Sequence, residues 1–98
     1  MTEPVISHHP DEAGRRGTFD LTIGDTKSGF LSYSLDDNTI VVDYVQVDPS
    51  LRGKGLGDRL VAAAVEWARA HKRKVVPICS YARAVMRRKT EYHDVLER

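Results

Sequence analysis

The chain has 98 residues, which is enough for one domain with a single modest hydrophobic core. Its composition, 41% hydrophobic and 30% charged, is typical of a folded globular domain and excludes a disordered tail. The 15 basic and 14 acidic side chains leave a net charge of +1, which excludes a strong overall field that would attract nucleic acid or an anionic membrane.

The number of cysteines and the lack of long apolar segments indicate the cellular compartment in which we expect the protein. The single cysteine, Cys79, excludes an internal disulfide framework and favours a reducing environment. The polar N-terminus lacks the apolar region of a signal peptide, and no segment approaches the roughly 20 apolar residues of a membrane span. We therefore expect a cytoplasmic protein. No Cys/His spacing matches a structural zinc site, so we predict no metal site.

The N-terminal segment differs in character from the rest of the chain. Residues 1–16 are polar and contain prolines, so we predict a flexible lead-in that holds at most a short strand at Val5 and Ile6. Residues 17–98 form the predicted folded domain.

Three strands are predicted next. Apolar and polar residues alternate over Thr18–Ile23, which indicates a half-buried strand, and a second strand follows over Lys27–Leu35. A third, over Thr39–Val47, is rich in β-branched residues and nearly apolar throughout, which predicts burial on both faces. Strands joined by such short polar turns predict an antiparallel meander.

A helical crossover is predicted after Pro49. A helix over Gly55–His71 and a fourth strand over Lys74–Cys79 would place the fourth strand parallel to the third, with the helix across one face of the sheet. Ser80 is a favourable N-cap for a second helix over Tyr81–Arg88, and the C-terminal residues add a final turn or two. The stripe of the first helix predicted to lie on the sheet comprises Leu56, Leu60, Ala63, Ala64, Trp67 and Ala68.

Glycines cluster in "RGKGLGD", residues 52–58, where the first helix begins. A helix start leaves backbone N–H groups without partners at the positive end of the helix dipole, and glycine lets an anion approach them closely. Phosphate is the usual ligand of such a turn. Two common phosphate motifs fail here, because Asp48 stands where a P-loop needs its first glycine and Asp58 where a dinucleotide-binding fingerprint needs its third.

The pattern Arg-x-x-Gly-x-Gly, formed by Arg52, Gly55 and Gly57, resembles the acetyl-CoA pyrophosphate loop of the GNAT superfamily of acetyltransferases. The predicted order of meander, loop, crossover helix and parallel strand is similar to the GNAT core. From Phe19 onward, the chain length, the segment "PICSY" and the C-terminal "RRKTEYHDVL" resemble a group of small single-domain GNAT-like proteins. The resemblance implies an α/β GNAT-like fold with short C-terminal helices.

The resemblance also implies a cofactor, acetyl-CoA, with its pyrophosphate on the glycine loop and its pantetheine arm beside the preceding strand. Ser80 is added as a candidate hydrogen-bond donor and Arg83 as a candidate phosphate contact. Pro77, which interrupts strand pairing, fits either two strands that splay apart for the pantetheine arm or a plain sheet edge. The implied cofactor-binding residues of loop and strand are Val45, Gln46, Val47, Arg52, Gly53, Lys54, Gly55, Leu56, Gly57 and Asp58.

The catalytic groups are less evident from the sequence. Gln46 stands where related small members tend to have a glutamate, and an amide cannot act as a base. Tyr81 comes early and Tyr92 late for the tyrosine that serves as acid in many members. We therefore name Cys79 as the catalytic candidate, because it precedes a helix N-terminus, where thiolates are favoured. The alternative is a cysteine that packs as a small hydrophobic residue.

The function implied by the resemblance is acetyl-CoA-dependent N-acetyl transfer to an unidentified amine on a small molecule or a protein terminus. One alternative is a module that binds CoA without turnover, motivated by the missing carboxylate base. Another is a nucleic-acid-binding or adaptor domain, and we expect nucleic acid to be an unlikely partner. We expect a monomer or a weak homodimer. The basic clusters relevant to nucleic acid are Arg69, His71, Lys72, Arg73 and Lys74, and Arg83, Arg87, Arg88 and Lys89.

Overall fold

A computed structural model describes residues 3–97 of the chain. One five-stranded sheet follows chain order, with β1 to β4 antiparallel and β5 parallel to β4. This architecture confirms the predicted fold class. The strands are β1 (Pro4–Pro10), β2 (Arg16–Ile23), β3 (Thr26–Leu35), β4 (Thr39–Val47) and β5 (Lys74–Pro77); the helices are α1 (Leu56–Ala70) and α2 (Ser80–Arg88), with single 3₁₀ turns at Pro49–Leu51 and Thr90–Tyr92.

Strand β1 corrects the prediction of a flexible lead-in. It pairs along its whole length with β2, from Pro4 opposite Ile23 to Pro10 opposite Gly17. The alternation that marks a strand is weak here because β1 is an edge strand and no side chain in it is fully buried. Proline at both ends is compatible with this place, since an edge strand pairs on one side only. Residues 1 and 2 of the predicted lead-in lie outside the described range.

Aromatic side chains connect β1 to the neighbouring strands β2 and β3. The imidazole of His8 stacks on the ring of Phe19 with the ring centroids 4.4 Å apart. Its Nε2 atom is 2.5 Å from the hydroxyl oxygen of Tyr33, which is a core residue of β3. Burial of the imidazole lowers the pKa of His8, and the nearby His9 and His71 lower it further. The neutral ring is therefore the form that this packing favours.

Both helices pack on one face of the sheet. The side chains of α1, α2 and this face of the sheet form one core cluster, so the opposite face carries no helix within residues 3–97. We call that opposite side the open face. Compared with the predicted stripe, the buried side of α1 also includes Val61 and Val65, while Ala63 and Trp67 lie at its rim. The core is formed mainly by Leu21, Leu31, Ile40, Val42, Leu60, Val61, Val65, Val75, Val85 and Met86.

Strand β4 is less buried than predicted. Ile40 and Val42 are buried, whereas the residues from Asp43 onward are exposed or half-buried. Tyr33 pairs with Val42 and the preceding β3 residue pairs with Tyr44, so Asp43 is the extra residue of a β-bulge. Pairing with β5 stops at Val42, so one edge of β4 has no strand beside it after that point. Burial on both faces of the sheet therefore does not explain the apolar composition of β4.

Strand β5 is also shorter than predicted, and two residues connect it to α2. The strand stops at Pro77, and the N–H groups of Ile78 and Cys79 both donate to the carbonyl of Val42, at 3.1 and 3.2 Å. Cys79 is the N-cap of α2, and Ser80, predicted to be the cap, is the first helical residue. No side-chain hydrogen bond caps this helix start.

The C-terminal segment is held by one arginine. Arg69 of α1 donates to the carboxylates of Glu66 and Asp94, at 2.7 and 2.8 Å. The chain after the last 3₁₀ turn then forms a single bridge, in which Leu96 pairs with Val75. The predicted final helical turns are thus one 3₁₀ turn followed by an extended end. Within residues 3–97, no helix has both the length and the apolar character that crossing a membrane requires.

Candidate active site

A cleft opens where β4 and β5 part. Its volume is about 450 Å³, and it lies between the free edge of β4, the glycine loop and the start of α2. Proline at the end of β5 removes an N–H donor at the point where the two strands separate. The cleft is lined by Tyr44, Val45, Gln46, Val47, Leu51, Arg52, Gly53, Gly55, Leu56, Gly57 and Tyr81.

The free edge of β4 gives this cleft its depth. Val45 and Val47 pair with Leu31 and Gly29 of β3 and face the helices, whereas Tyr44 and Gln46 face the open side. Because residues of both kinds line the cleft, it passes through the thickness of the sheet beside β4.

The glycine loop presents a row of backbone donors. Gly53 and Gly55 adopt left-handed conformations, with φ of 83° and 75°, and a Cβ atom on either would project into open space. The first hydrogen bond of α1 runs from the N–H of Arg59 to the carbonyl of Gly55, at 3.2 Å. Within the described part of the chain, the N–H groups of residues 53–58 have no hydrogen-bond acceptor. These donors lie at the positive end of a 15-residue helix, which makes the loop an anion-binding element.

Gly57 has a separate role, which is to admit the ring of Tyr81. A Cβ atom on Gly57 would lie 2.7 Å from the tyrosine oxygen and 2.9 Å from two of its ring carbons. The absence of a side chain at Gly57 therefore lets α2 bring Tyr81 against the first turn of α1. The ring forms the cleft wall on that side.

Asp58 joins the two helix starts. Its carboxylate accepts a hydrogen bond from the hydroxyl of Tyr81 and pairs with the guanidinium of Arg88 at 3.2 Å. Burial of the phenol, and then its bond to Asp58, raise the pKa of Tyr81 to about 12. Tyr81 is thus a neutral phenol at physiological pH. Lys89, whose Nζ atom is 3.9 Å from the same carboxylate, further balances the negative charge beside the amide row.

Most of the sequence-predicted cofactor residues lie together along this cleft. The exceptions in the loop are Lys54, whose exposed side chain does not reach the wall, and Asp58, which lies behind Tyr81. The predicted residues that line the cleft are Val45, Gln46, Val47, Arg52, Gly53, Gly55, Leu56 and Gly57.

The three candidates at the start of α2 lie outside the cleft lining. Arg83 turns back to donate to the carbonyls of Pro77 and Ile78, at 3.3 and 3.1 Å, so its guanidinium secures the turn after β5. Ser80 is exposed and its hydroxyl makes no hydrogen bond within residues 3–97. Cys79 is half-buried and packs against the core. Its catalytic role stays a prediction.

Sequence reasoning missed two residues of the lining, Tyr44 and Leu51, and undervalued Tyr81. Tyr44 shares the face of Gln46 by simple strand alternation, so its place was within reach of the sequence pattern. The position of Tyr81 depends on how closely α1 and α2 approach, which spacing along the chain does not predict. Among residues 3–97 no group of three His, Cys, Asp or Glu side chains is arranged to hold a metal ion.

A family model for the GCN5-related N-acetyltransferases matches residues 18–95 of the chain. The chain belongs to the GCN5-related N-acetyltransferase (GNAT) family. The match covers most of β2, the other strands that follow it, the glycine loop and both helices, so the whole cleft lies within the GNAT domain. No protein of curated function matches the chain.

Solved structures share the GNAT fold. A GCN5-like protein from Staphylococcus aureus is 26% identical, with a TM-score of 0.69 over 93% of this chain and 87% of that one. An IAA acetyltransferase from Bacillus cereus is 20% identical, with a TM-score of 0.70 over 88% of this chain and 75% of that one. The ribosomal-protein-S18-alanine N-acetyltransferase from Escherichia coli is 18% identical, with a TM-score of 0.66. The match covers 76% of this chain and only about half, 51%, of the E. coli enzyme. The last two likenesses concern the fold alone.

Proposed function

We propose that the protein is an acetyl-CoA-dependent N-acetyltransferase. The observation that carries the proposal is the row of backbone N–H groups at residues 53–58, which lies beside a cleft along the free edge of β4. An acyl-CoA has a pyrophosphate that matches the first feature and an amide-bearing arm that matches the second. The single cysteine further favours the cytoplasm as the compartment.

The loop fits a pyrophosphate in both charge and shape. Six consecutive amides, those of residues 53–58, are free to donate, and Arg52, a cationic residue, lines the same cleft. The helix dipole adds partial positive charge where the amides converge. Glycine at positions 53 and 55 leaves open the space that a Cβ atom would fill. The phosphate groups of CoA are anions of the kind that bind such helix starts.

The strand edge fits the pantetheine arm. After Val42 one edge of β4 has no partner strand, so its peptide groups on that side are available to the amides of an extended ligand. Main-chain pairing of this kind is the usual way in which an extended chain binds to a sheet edge. Val45, Val47 and Leu51 supply apolar contacts for the aliphatic part of the arm.

The chemistry that acetyl-CoA supplies is an activated thioester, and the protein must position it and manage protons. Two tyrosines line the cleft, and Tyr81 is the one whose hydroxyl is oriented by a carboxylate, that of Asp58. We assign to Tyr81 the protonation of the leaving thiolate, since its phenol is a hydroxyl donor on the cleft wall that would turn from the carboxylate of Asp58 to the sulfur. Gln46 lies on the wall as an amide, which orients groups by hydrogen bonding and takes no proton.

A non-catalytic CoA-binding module is the second candidate, favoured by one observation. None of the lining residues within the described range is a carboxylate, so the cleft itself holds no acidic side chain that could act as base. The basic-cluster hypothesis is less favoured, since Arg69 is already paired with Glu66 and Asp94. In the same cluster, His71 stacks on Trp67 at 4.0 Å and thereby covers a ring that a base would need.

Thermal denaturation with acetyl-CoA, combined with a turnover assay, tests the proposal. At a ligand concentration of about one hundred times Kd, binding adds about 2.7 kcal/mol to the unfolding free energy. Release of free CoA that rises with added amine separates turnover from plain binding. Stabilisation without amine-dependent release would favour the non-catalytic module. The proposal fails entirely if acetyl-CoA does not change the melting temperature.

A further inference from the structure

The open face carries a polar groove that the proposed function does not use. It runs across β2, β3 and β4 and is bounded at one end by the turn between β1 and β2. We call it the open-face groove. It is lined by His9, Asp11, Arg16, Gly17, Thr18, Ser32, Tyr33, Ser34 and Asp43.

The groove has an unpaired charge of each sign. Within residues 3–97, neither the guanidinium of Arg16 nor the carboxylate of Asp43 makes an ion pair or a hydrogen bond. By contrast, the carboxylate of Asp11 is engaged, because it accepts the backbone N–H groups of Arg15 and Arg16 at 3.0 and 3.3 Å. Arg16 and Asp43 are therefore the charged side chains of the groove without a partner, while Asp11 lies near the Arg16 end with only its Oδ1 atom hydrogen-bonded.

Strand register places hydroxyl groups between these two charges. Arg16 of β2 lies opposite Ser34 of β3, and Thr18 lies opposite Ser32. Asp43 is the bulge residue on the next strand, between the partners of Ser32 and Tyr33. The backbones of Arg16 and Asp43 lie two strand spacings apart and are offset by about two residues along the strands, which together give roughly 12 Å. The side chain of Arg16 spans part of this separation, and the gap that remains between its guanidinium and the carboxylate of Asp43 leaves room for a small molecule.

One end of the groove adjoins the cofactor cleft. Asp43 directly precedes Tyr44, which lines the cleft, and the cleft passes through the sheet at this edge. A pantetheine arm that runs beside β4 from Val47 to Asp43 would cover about 13 Å, because a strand rises roughly 3.3 Å for each residue. Its reactive end, and the amine that meets it, would then lie near Asp43.

We propose that the open-face groove binds the acceptor, and that the acceptor is a small amine that carries its own carboxylate, such as a free amino acid. This inference rests on the proposed function. Asp43 would hold the ammonium group beside the thioester, and Arg16 would bind the carboxylate through a charge-assisted hydrogen bond. A polyamine fits less well, because its second ammonium would meet Arg16.

The transfer balances without a further reactant. A bond forms between the amine nitrogen and the acetyl carbon as the carbon–sulfur bond of the thioester breaks. The ammonium loses two protons in the process; one ends on the thiol of CoA and the other leaves to water. No group changes its oxidation state.

Matched pairs of acceptors test the inference. Phenylalanine and phenethylamine, and lysine and cadaverine, differ by one carboxylate each, so the ratio of their kcat/KM values isolates its contribution. A charge-assisted hydrogen bond predicts that the amino acid of a pair is preferred by about 10- to 100-fold. Arg16→Gln is expected to reduce that ratio to about one. Arg15→Gln, the same change one residue away and outside the groove, is the control that keeps the ratio.

The outcomes separate this inference from the proposed function. Equal or faster turnover of the decarboxylated amines, or an Arg16→Gln variant that keeps the preference, overturns the inference and leaves acetyl transfer intact. If acetyl-CoA stabilises the protein but no amine in the panel is acetylated, both the inference and the transferase assignment fail. Melting curves of both arginine variants check that the fold is kept.

Discussion

The hydroxyl of Tyr81 donates a hydrogen bond to the carboxylate of Asp58 and so joins the second residue of α2 to the first turn of α1. Gly57 makes this contact feasible, because any side chain there would meet the tyrosine ring. The two helix starts that border the cleft are thus fixed relative to each other by one polar contact over one glycine.

Replacing Asp58 with asparagine is expected to lower the pKa of Tyr81. Burial is the larger cause of its rise to about 12 and remains, so the pKa should fall only part of the way towards its ordinary value of 10.0. In the folded protein the raised pKa contributes stability that is present below pH 10 and lost as the pH rises towards 12. The tyrosinate absorbance, measured against pH with Tyr81→Phe as reference, reads the titration directly. An unchanged midpoint would contradict the assigned contact.

A methyl group at Gly55 should weaken binding of CoA. Ala in a left-handed conformation costs about 1–2 kcal/mol, so Gly55→Ala is expected to lower the melting temperature. The new Cβ atom also projects into the open space before the amide row, and we expect Kd for CoA to rise by about tenfold or more. Gly14→Ala is the matched control, since Gly14 has a similar φ of 70° with nothing within 4 Å but lies in the turn after β1.

Calorimetry on both glycine variants measures the two effects separately. Both should lose stability, and only Gly55→Ala should lose affinity for CoA. Equal affinity in the two variants would remove the loop from the proposed binding site.

Acidification is expected to destabilise the domain through His8. Its pKa is lowered from 6.5 in the folded protein, so below that value the unfolded chain binds the proton more readily. The melting temperature should therefore fall between about pH 7.5 and pH 5.5, and His8→Gln should make this fall smaller. His93→Gln, which alters a histidine bonded to the carbonyl of Arg87 far from the stack, serves as control. The same slope in His8→Gln and the wild type would refute the role given to the stack.

The Cys79→Ala variant distinguishes a catalytic role of the thiol from a packing role. The sulfur lies outside the cleft lining and packs against the core, so we expect kcat to stay within a few-fold of the wild type. Stability should fall by about 1 kcal/mol, as for the loss of a small half-buried side chain. A loss of turnover by two orders of magnitude or more in the folded variant would instead support the thiol as a catalytic group.

The sequence is sufficient to predict those strands and helices in which apolar residues recur at a regular spacing. The alternation in β2, the helical spacing in α1 and the glycines at residues 53–57 each have a direct physical cause, and each was predicted close to its observed place. The parallel pairing of β4 with β5 followed from the crossover alone.

Features that depend on contacts between distant residues were not predictable in the same way. Strand β1 is stabilised by the stack of His8 on Phe19, which no local pattern reveals. The bulge at Asp43 breaks the alternation of β4 without a glycine to mark it. The sequence makes Arg83 a candidate phosphate contact, but it does not reveal that the guanidinium donates to the carbonyls of Pro77 and Ile78.

The prolines that end β1 bear on how the protein behaves at high concentration. Pro4 and Pro10 have no amide hydrogen, so the outer rim of the sheet can recruit a foreign strand only through the short stretch between them. Growth of the sheet from molecule to molecule is thereby restrained. The two prolines thus limit one route, pairing along the β1 edge, by which copies of the chain could associate.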